Sequence, residues 1–304
     1  MTQQALDRAA PAGEVVTGLA LRSRPRHIRG LPLLISYGSV LLLFVAVGLF
    51  APVIAPHDPN AQTLTNRLQP PIWDSRGTWE HPLGTDNLGR DTLSRLIYGA
   101  RISLLVIAVS IPISMVLGTV LGLIAGYRRG LIDVVLMRLV DIQLALPAIL
   151  FAVLLAAVYG PSLKNVLIII VGWRWASFAR LVRGEVLSLR ERDFIAASRA
   201  LGGNDRWIMI RHFVPNLINP VVILATLDVA AVILIEASLS FLGVGVPPPT
   251  ASWGSMVSEG RNFLRIASWL VTVPGIAILT ISLVGNLFGD WLRDALDPRL
   301  RNVR

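Results

Sequence analysis

The chain has 304 residues, of which 54% are apolar and 15% charged, with a mean hydropathy of +0.63. A soluble domain of this length cannot hide so much apolar surface, because more than half of any globular surface still faces water; the composition is that of an integral membrane protein. The net charge of +9 is almost wholly arginine, Lys164 in "GPSLKN" being the only lysine, and cysteine is absent, which excludes a P-loop, a disulfide framework and any thiolate chemistry within the chain.

Residues 1–30 are polar without a sustained period and read as a disordered cytoplasmic tail. Six stretches then approach the ~20 apolar residues that cross a bilayer core: Leu33–Ile54, Ile102–Tyr127, Val134–Tyr159, Leu163–Leu181, Leu217–Leu239 and Trp269–Phe288. The first lies too far from the N-terminus and lacks a small-residue cleavage site, so it reads as an anchor. Residues 31–100 form a first unit, this span plus an external segment rich in Pro, Asn, Asp and Gly; residues 101–290 form a five-span core, and 291–304 a cytoplasmic tail. With the N-terminus inside, the internal segments hold 19 of the 28 Lys and Arg residues. That excess predicts six spans with both termini cytoplasmic, and it assigns the positive charge to topology and membrane lipid, not to nucleic acid.

The largest internal loop, 183–216, contains "FIAASRALGG" at 194–203. Asp193 suits the start of a short helix. Phe194, Ala197 and Leu201 recur at i, i+3 and i+7 and define one narrow apolar face. Ala196, Ala197, Ser198 and Ala200 leave the backbone bare around Arg199. Gly202 supplies the left-handed residue that ends the helix, and Asn204 or Asp205 can cap the next one, which should break or bend near Pro215. Periodicity alone allows two readings: a helix that seats in a groove of a partner, or a connector lying on the bilayer surface.

Three ionisable residues fall within spans: Arg174 in the fourth, Asp228 and Glu236 in the fifth. Each is costly facing lipid and is expected in the bundle interior, pairing across helices or lining a polar path, with Arg174 a partner for either acid. Arg138 and Asp141 are spaced for a structural ion pair. Trp79, Trp253, Trp269 and Trp291 are expected at the membrane interfaces, and Ser252 can cap a short external helix. No H-E-x-x-H or G-x-S-x-G is present, and all four histidines (His27, His57, His81, His212) are expected in loops, so no catalytic residue and no metal site is expected. An intramembrane enzyme is a remote alternative. A secondary transporter is another, though it would ordinarily show inverted repeats and broken helices.

The stretch "DFIAASRALGGNDRWIMIRHFVPN" resembles the EAA loop of ABC importer permeases, Gly202 matching its glycine and Val214–Pro215 its ending. Ala196 stands where the family has its glutamate, Ser198 at its second alanine and His212 at its isoleucine. "HPLGTDNLGRDTLSRLIYGARISL" (81–104), "DVVLMRLVDIQLALP" (133–147), "IEASLSFLGVGVPPPTASWG" (235–254) and "LFGDWLRDALDPRLR" (287–301) are similar to permeases of the dipeptide/oligopeptide type, the subunit with the long first external loop. The resemblance implies an all-α type I ABC importer permease of the inner membrane that takes up peptides or similar small solutes. It also implies that residues 194–202 form a coupling helix seated on a separate ATPase. The implied partners are a second homologous permease, two ATPase subunits or domains that bind ATP and Mg, and an external solute-binding protein; no cofactor is bound by this chain, which is not itself an enzyme.

Overall fold

The structure, a computed structural model, describes residues 30–296, and the expected tails lie outside that range except for Gly30 and residues 291–296. Within it the chain is helical: α1 Gly30–Leu49, α2 Ala51–Ile54, α3 Thr92–Arg128, α4 Gly130–Ala145, α5 Ala148–Tyr159, α6 Leu163–Arg190, α7 Asp193–Ala200, α8 Asp205–Ile208, α9 Val214–Phe241, α10 Trp253–Gly260 and α11 Trp269–Leu296. Among the described residues the one β contact is the isolated bridge between Thr85 and Asp91.

Four helical segments are long and apolar enough to cross a membrane: α3, α6, the run 205–241 and α11. A fifth candidate is the pair α4–α5, bent by 91°. The span expected over Val134–Tyr159 is therefore broken into two helices. Pro147 has no N–H and disfavours helix at the preceding residue, and Leu146 is accordingly extended, with ψ 139. The first expected span ends early too, at Leu49, and restarts as α2 with Pro52 in its first turn. Around Pro215 no break occurs: a π turn over Met209–Phe213 joins α8 to α9 in one run, and the wider turn makes room for the proline ring just after it.

Helix α3 is central, with α1, α4, α6, α9 and α10 packed on it. Its 37 residues span about 55 Å at 1.5 Å per residue. The seam with α6 is made by Gly118, Gly122 and Gly126, one turn apart: an added Cβ would stand 2.4 Å from the Trp175 carbonyl at Gly118, 2.4 Å from the Ala179 carbonyl at Gly122, and 2.9 Å from Val186 at Gly126. Without a hydrophobic drive between helices in lipid, such small residues create the close backbone contact that holds them together. Large apolar side chains cover the periphery instead, among them Leu42, Val116, Leu150 and Leu279, as an apolar solvent requires.

The packed interior has two ends. Near the N-terminus of α3, Val106 and Ile111 pack with Ile169 and Ile170 of α6 and Leu239 of α9, and Phe44, Ala100, Trp253 and Ile281 pack beside them. At the opposite end Tyr127, Phe178, Val182 and Val186 surround Ile195 and Ile208 of the segment that follows α6.

Candidate functional site

The segment 191–216 is built by local rules. Ser198, Arg199, Gly202 and Gly203 close α7: Gly203 N–H donates to the Ser198 carbonyl and Gly202 N–H to the Arg199 carbonyl, both at 3.0 Å, the two-bond stop that needs a left-handed residue. Gly202 supplies it with φ +86. Gly203 follows with a close approach, since a Cβ there would lie 2.8 Å from the Ser198 carbonyl oxygen. Asn204 then caps α8, its side chain accepting from Trp207 N–H at 2.8 Å.

Helix α7 has two unlike faces. Ile195 and Ser198 point into the protein at 1% and 9% exposure, whereas Phe194 is 42% and Leu201 89% exposed; Ala196, Ala197, Arg199 and Ala200 are exposed as well. The narrow apolar face formed by Phe194, Ala197 and Leu201 is thus the outward one, and Ile195 is the rivet on the other side. Ile195 enters the cluster of Tyr127, Phe178, Val182 and Val186. Tyr127 ties three elements: its ring meets Phe213 edge-on at 5.6 Å, its hydroxyl bonds to Asp205, and its carbonyl accepts from Arg190 Nη1 at 2.8 Å. Arg199 stands 5.8 Å over the same ring, within range of a cation–π attraction. His212, expected in a loop, lies in the π turn and packs with Phe194 and Trp207 at 5.7 and 5.0 Å. Ala196, in place of the family's glutamate, offers no group for an ion pair.

Arg174 and Asp228 meet across α6 and α9. Arg174 Nε donates to Asp228 Oδ2 at 2.8 Å and Nη2 to Oδ1, with Asp228 2% exposed. A two-pronged guanidinium–carboxylate contact satisfies both groups at once and suits the low-dielectric interior. Glu236 is 1% exposed and takes no arginine. Its Oε1 accepts from the Ser240 hydroxyl at 2.8 Å, and Oε2 has no partner among the described residues. The two acids therefore differ in kind: Asp228 is neutralised by Arg174, and Glu236 is not.

The expected Arg138–Asp141 pair is not made. Asp141 bonds instead to Arg180 of α6, and Arg183 of α6 grips Asp133 of α4 at 2.6 and 2.8 Å. The reason lies in packing: Met137, Val140 and Leu144 turn one side of α4 onto α6, and Arg138 is left on the exposed side. Two tryptophans expected at the interfaces are buried pins, Trp253 Nε1 donating to the Leu96 carbonyl at 2.9 Å and Trp269 Nε1 to the Thr85 carbonyl at 3.3 Å. Trp79 stays 83% exposed. Ser252 caps α10 as expected, in a reciprocal box with Ser255.

At the other end of α3 the sequence reading missed a charge cluster. Asp86 Oδ2 accepts from Arg90 at 2.6 Å and Arg95 at 2.8 Å, while Glu259 Oε2 accepts from the same two arginines at 2.6 and 2.9 Å. Arg90, Arg95 and Asp86 are buried and Glu259 is partly exposed, so two cations and two anions balance and lock the segment before α3 onto α10. The signal was present in "TDNLGRDTLSR", where charges alternate at short spacing beside an apolar helix. At the same end of α3, ligand atoms of His57, His81 and Asp91 lie within 4.8 Å of one another.

Residues 118–302 match the family described as binding-protein-dependent transport system inner membrane component, and residues 38–71 match the N-terminal TM domain of oligopeptide transport permease C. The chain is similar to the di/tripeptide transport system permease protein DppC of Pseudomonas aeruginosa, 45% identical over 86% of this chain and 87% of that one. It is 42% identical to the dipeptide transport system permease protein DppC of Haemophilus influenzae, over 87% of this chain and 90% of that one. Among solved structures, a chain of the inward-facing MetNI methionine ABC transporter superposes on 65% of this chain and 96% of its own length, with a TM-score of 0.50 and 18% identity, a likeness of fold. The protein is a multi-pass component of the inner membrane, and the chain belongs to the family of binding-protein-dependent transport system inner membrane components.

Proposed function

We propose that this chain is one of two permease subunits in an ATP-driven importer of peptides or similar small solutes, and that α7 is where a separate ATPase subunit seats. The two-faced geometry of α7 carries the reading. Its inner face is riveted to α3, α6 and α9 through Ile195, and its outer face presents Phe194, Ala197 and Leu201 to a partner. Relatives named as dipeptide permeases, at 42–45% identity, support a peptide-sized solute. The proposed topology has six spans, namely α1, α3, the bent α4–α5 pair, α6, the run 205–241 and α11, with both termini cytoplasmic. Residues 31–100 form the anchor and external loop, 101–290 the core with the docking loop 183–216, and 291–304 the tail. A second homologous permease, two ATPase subunits or domains carrying ATP and Mg, and an external solute-binding protein complete the assembly.

The chain has no cysteine, which makes a direct test simple. Leu201→Cys in the assembled complex, treated with a short thiol-to-amine cross-linker, should attach to the ATPase subunit. Trp79→Cys, exposed at the other end of the fold, should not. Cross-linking of Leu201→Cys to lipid or to nothing, with the ATPase present and active, would refute the docking role.

A further inference from the structure

We propose that His57, His81 and Asp91 form a binding site for a divalent transition-metal ion, zinc being the best fit, at the end of α3 opposite α7. The three residues come from separate places: His57 follows α2, His81 lies in the connecting segment, and Asp91 caps α3. His81 Nδ1 stands 3.0 Å from Asp91 Oδ1, and His57 Nδ1 stands 3.8 Å from Asp91 Oδ2. Two ligands bound tetrahedrally to zinc at 2.0–2.1 Å are about 3.3 Å apart; the two nitrogen–oxygen separations are within about half an ångström of that edge, and all three ligand atoms lie within 4.8 Å of one another, so binding an ion draws the group closer.

The surroundings hold the ligands in place. Ser94 N–H and Oγ–H donate to Asp91 Oδ2 at 2.8 and 2.7 Å. The same Ser94 Oγ accepts the His57 backbone N–H at 3.0 Å. One serine thus orients the carboxylate and the chain that carries the first imidazole, as supporting hydrogen bonds do around metal sites. The imidazole rings lie 4.9 Å apart between centroids, tilted by 41°. His57 Nδ1 is buried with no hydrogen-bond partner among the described residues, and 3.8 Å is too long for it to bond to the carboxylate directly. A cation between the three groups accounts for that nitrogen. Two imidazoles and one carboxylate form a donor set suited to zinc, copper or nickel more than to magnesium or calcium. Asp91 and His81 side chains are 1% and 8% exposed, and His57 is 36% exposed, so His57 is the open side by which an ion enters and a water completes the coordination. Bound there, the ion would clip residue 57 to the start of α3 and close the external segment between them.

The experiment uses the full chain purified in detergent through a tag free of histidine, stripped with chelator and titrated with zinc against a chromophoric competitor. Wild type should take up one equivalent, its melting temperature should rise with zinc, and cobalt should give the strong visible absorption of a tetrahedral site. His57→Ala, at a partly exposed position, and His81→Ala should each weaken binding at least ten-fold and abolish the cobalt spectrum. His212→Ala should bind as wild type. Asp91 is left intact because it also caps α3. Should His81→Ala fail to give monodisperse protein, His57→Ala carries the test alone. Less than stoichiometric uptake by wild type, or unchanged affinity in a folded variant, would overturn the site and leave the cluster as a hydrogen-bonded cap.

Discussion

Arg174 and Asp228 set opposite demands on one site: each alone is expensive inside a membrane bundle, and together they are tolerable. Removing one partner from a buried pair costs about 3–5 kcal/mol, whereas replacing both by apolar side chains of similar volume is often neutral. Arg174→Ala should therefore lower the thermal stability of the assembled complex sharply, and Arg174→Met with Asp228→Leu should restore it. Uptake by the double variant then separates two roles. Normal uptake marks a structural pin, and restored stability without uptake marks a polar path for solute. That buried charges would be present was legible from their cost in lipid, and so was the choice of Arg174 as a partner. Which acid it takes was not, because residues 228 and 236 lie two turns apart on one helix and only the tertiary arrangement decides. The Arg138–Asp141 expectation failed for the same reason. Helical spacing permits that pair, but α6 brings Arg180 to Asp141.

At the scale of elements, the α3–α6 seam is the plainest case of sequence dictating packing. Gly118, Gly122 and Gly126 sit at intervals of four residues, so one stripe of α3 has no side chains and α6 lies directly on the backbone. Gly122→Ala places a Cβ 2.4 Å from the Ala179 carbonyl oxygen, which forces the helices apart. Gly172→Ala on α6 meets nothing within 4 Å and should gain up to about 1 kcal/mol from helix propensity. The expected pattern is a lowered melting temperature for Gly122→Ala and an unchanged or raised one for Gly172→Ala. Equal effects would show that the close approach does not hold the bundle. The stop of α7 and the cap of α8 were readable beforehand because Gly202 and Asn204 act through local geometry. The bend between α4 and α5 had its cause in view at Pro147, yet its size depends on what α5 packs against, chiefly α6 and α9.

Across the whole molecule the α7–α8 segment is continuous with the bundle. Ile195 and Ile208 pack among Tyr127 of α3 and Phe178, Val182 and Val186 of α6, with Leu217 and Val221 of α9 in the same cluster. Close-packed interiors transmit displacement because they have little room to absorb it, so in the proposed reading a push on α7 moves three spans together. At the far end the Asp86–Arg90–Arg95–Glu259 cluster fixes α3 to α10, which in the same reading gives the displaced helices a firm seat. Membrane class and family were legible from composition and from long resembling stretches. The packing at the two ends was not, since it joins residues as distant in sequence as 90 and 259. In the proposed reading Gly202 lies at the input of this path. Its φ of +86 is strained for any other residue, and its surroundings are open, with nothing within 4 Å of an added Cβ. Aspartate there disturbs the end of α7 and adds charge beside Leu201 without crowding the bundle. The decisive measurement is ATP hydrolysis and solute uptake in the same proteoliposomes, each holding the complete complex with wild-type or Gly202→Asp permease. The account predicts that the variant complex assembles and hydrolyses ATP but accumulates no solute; uptake at the wild-type rate would contradict it.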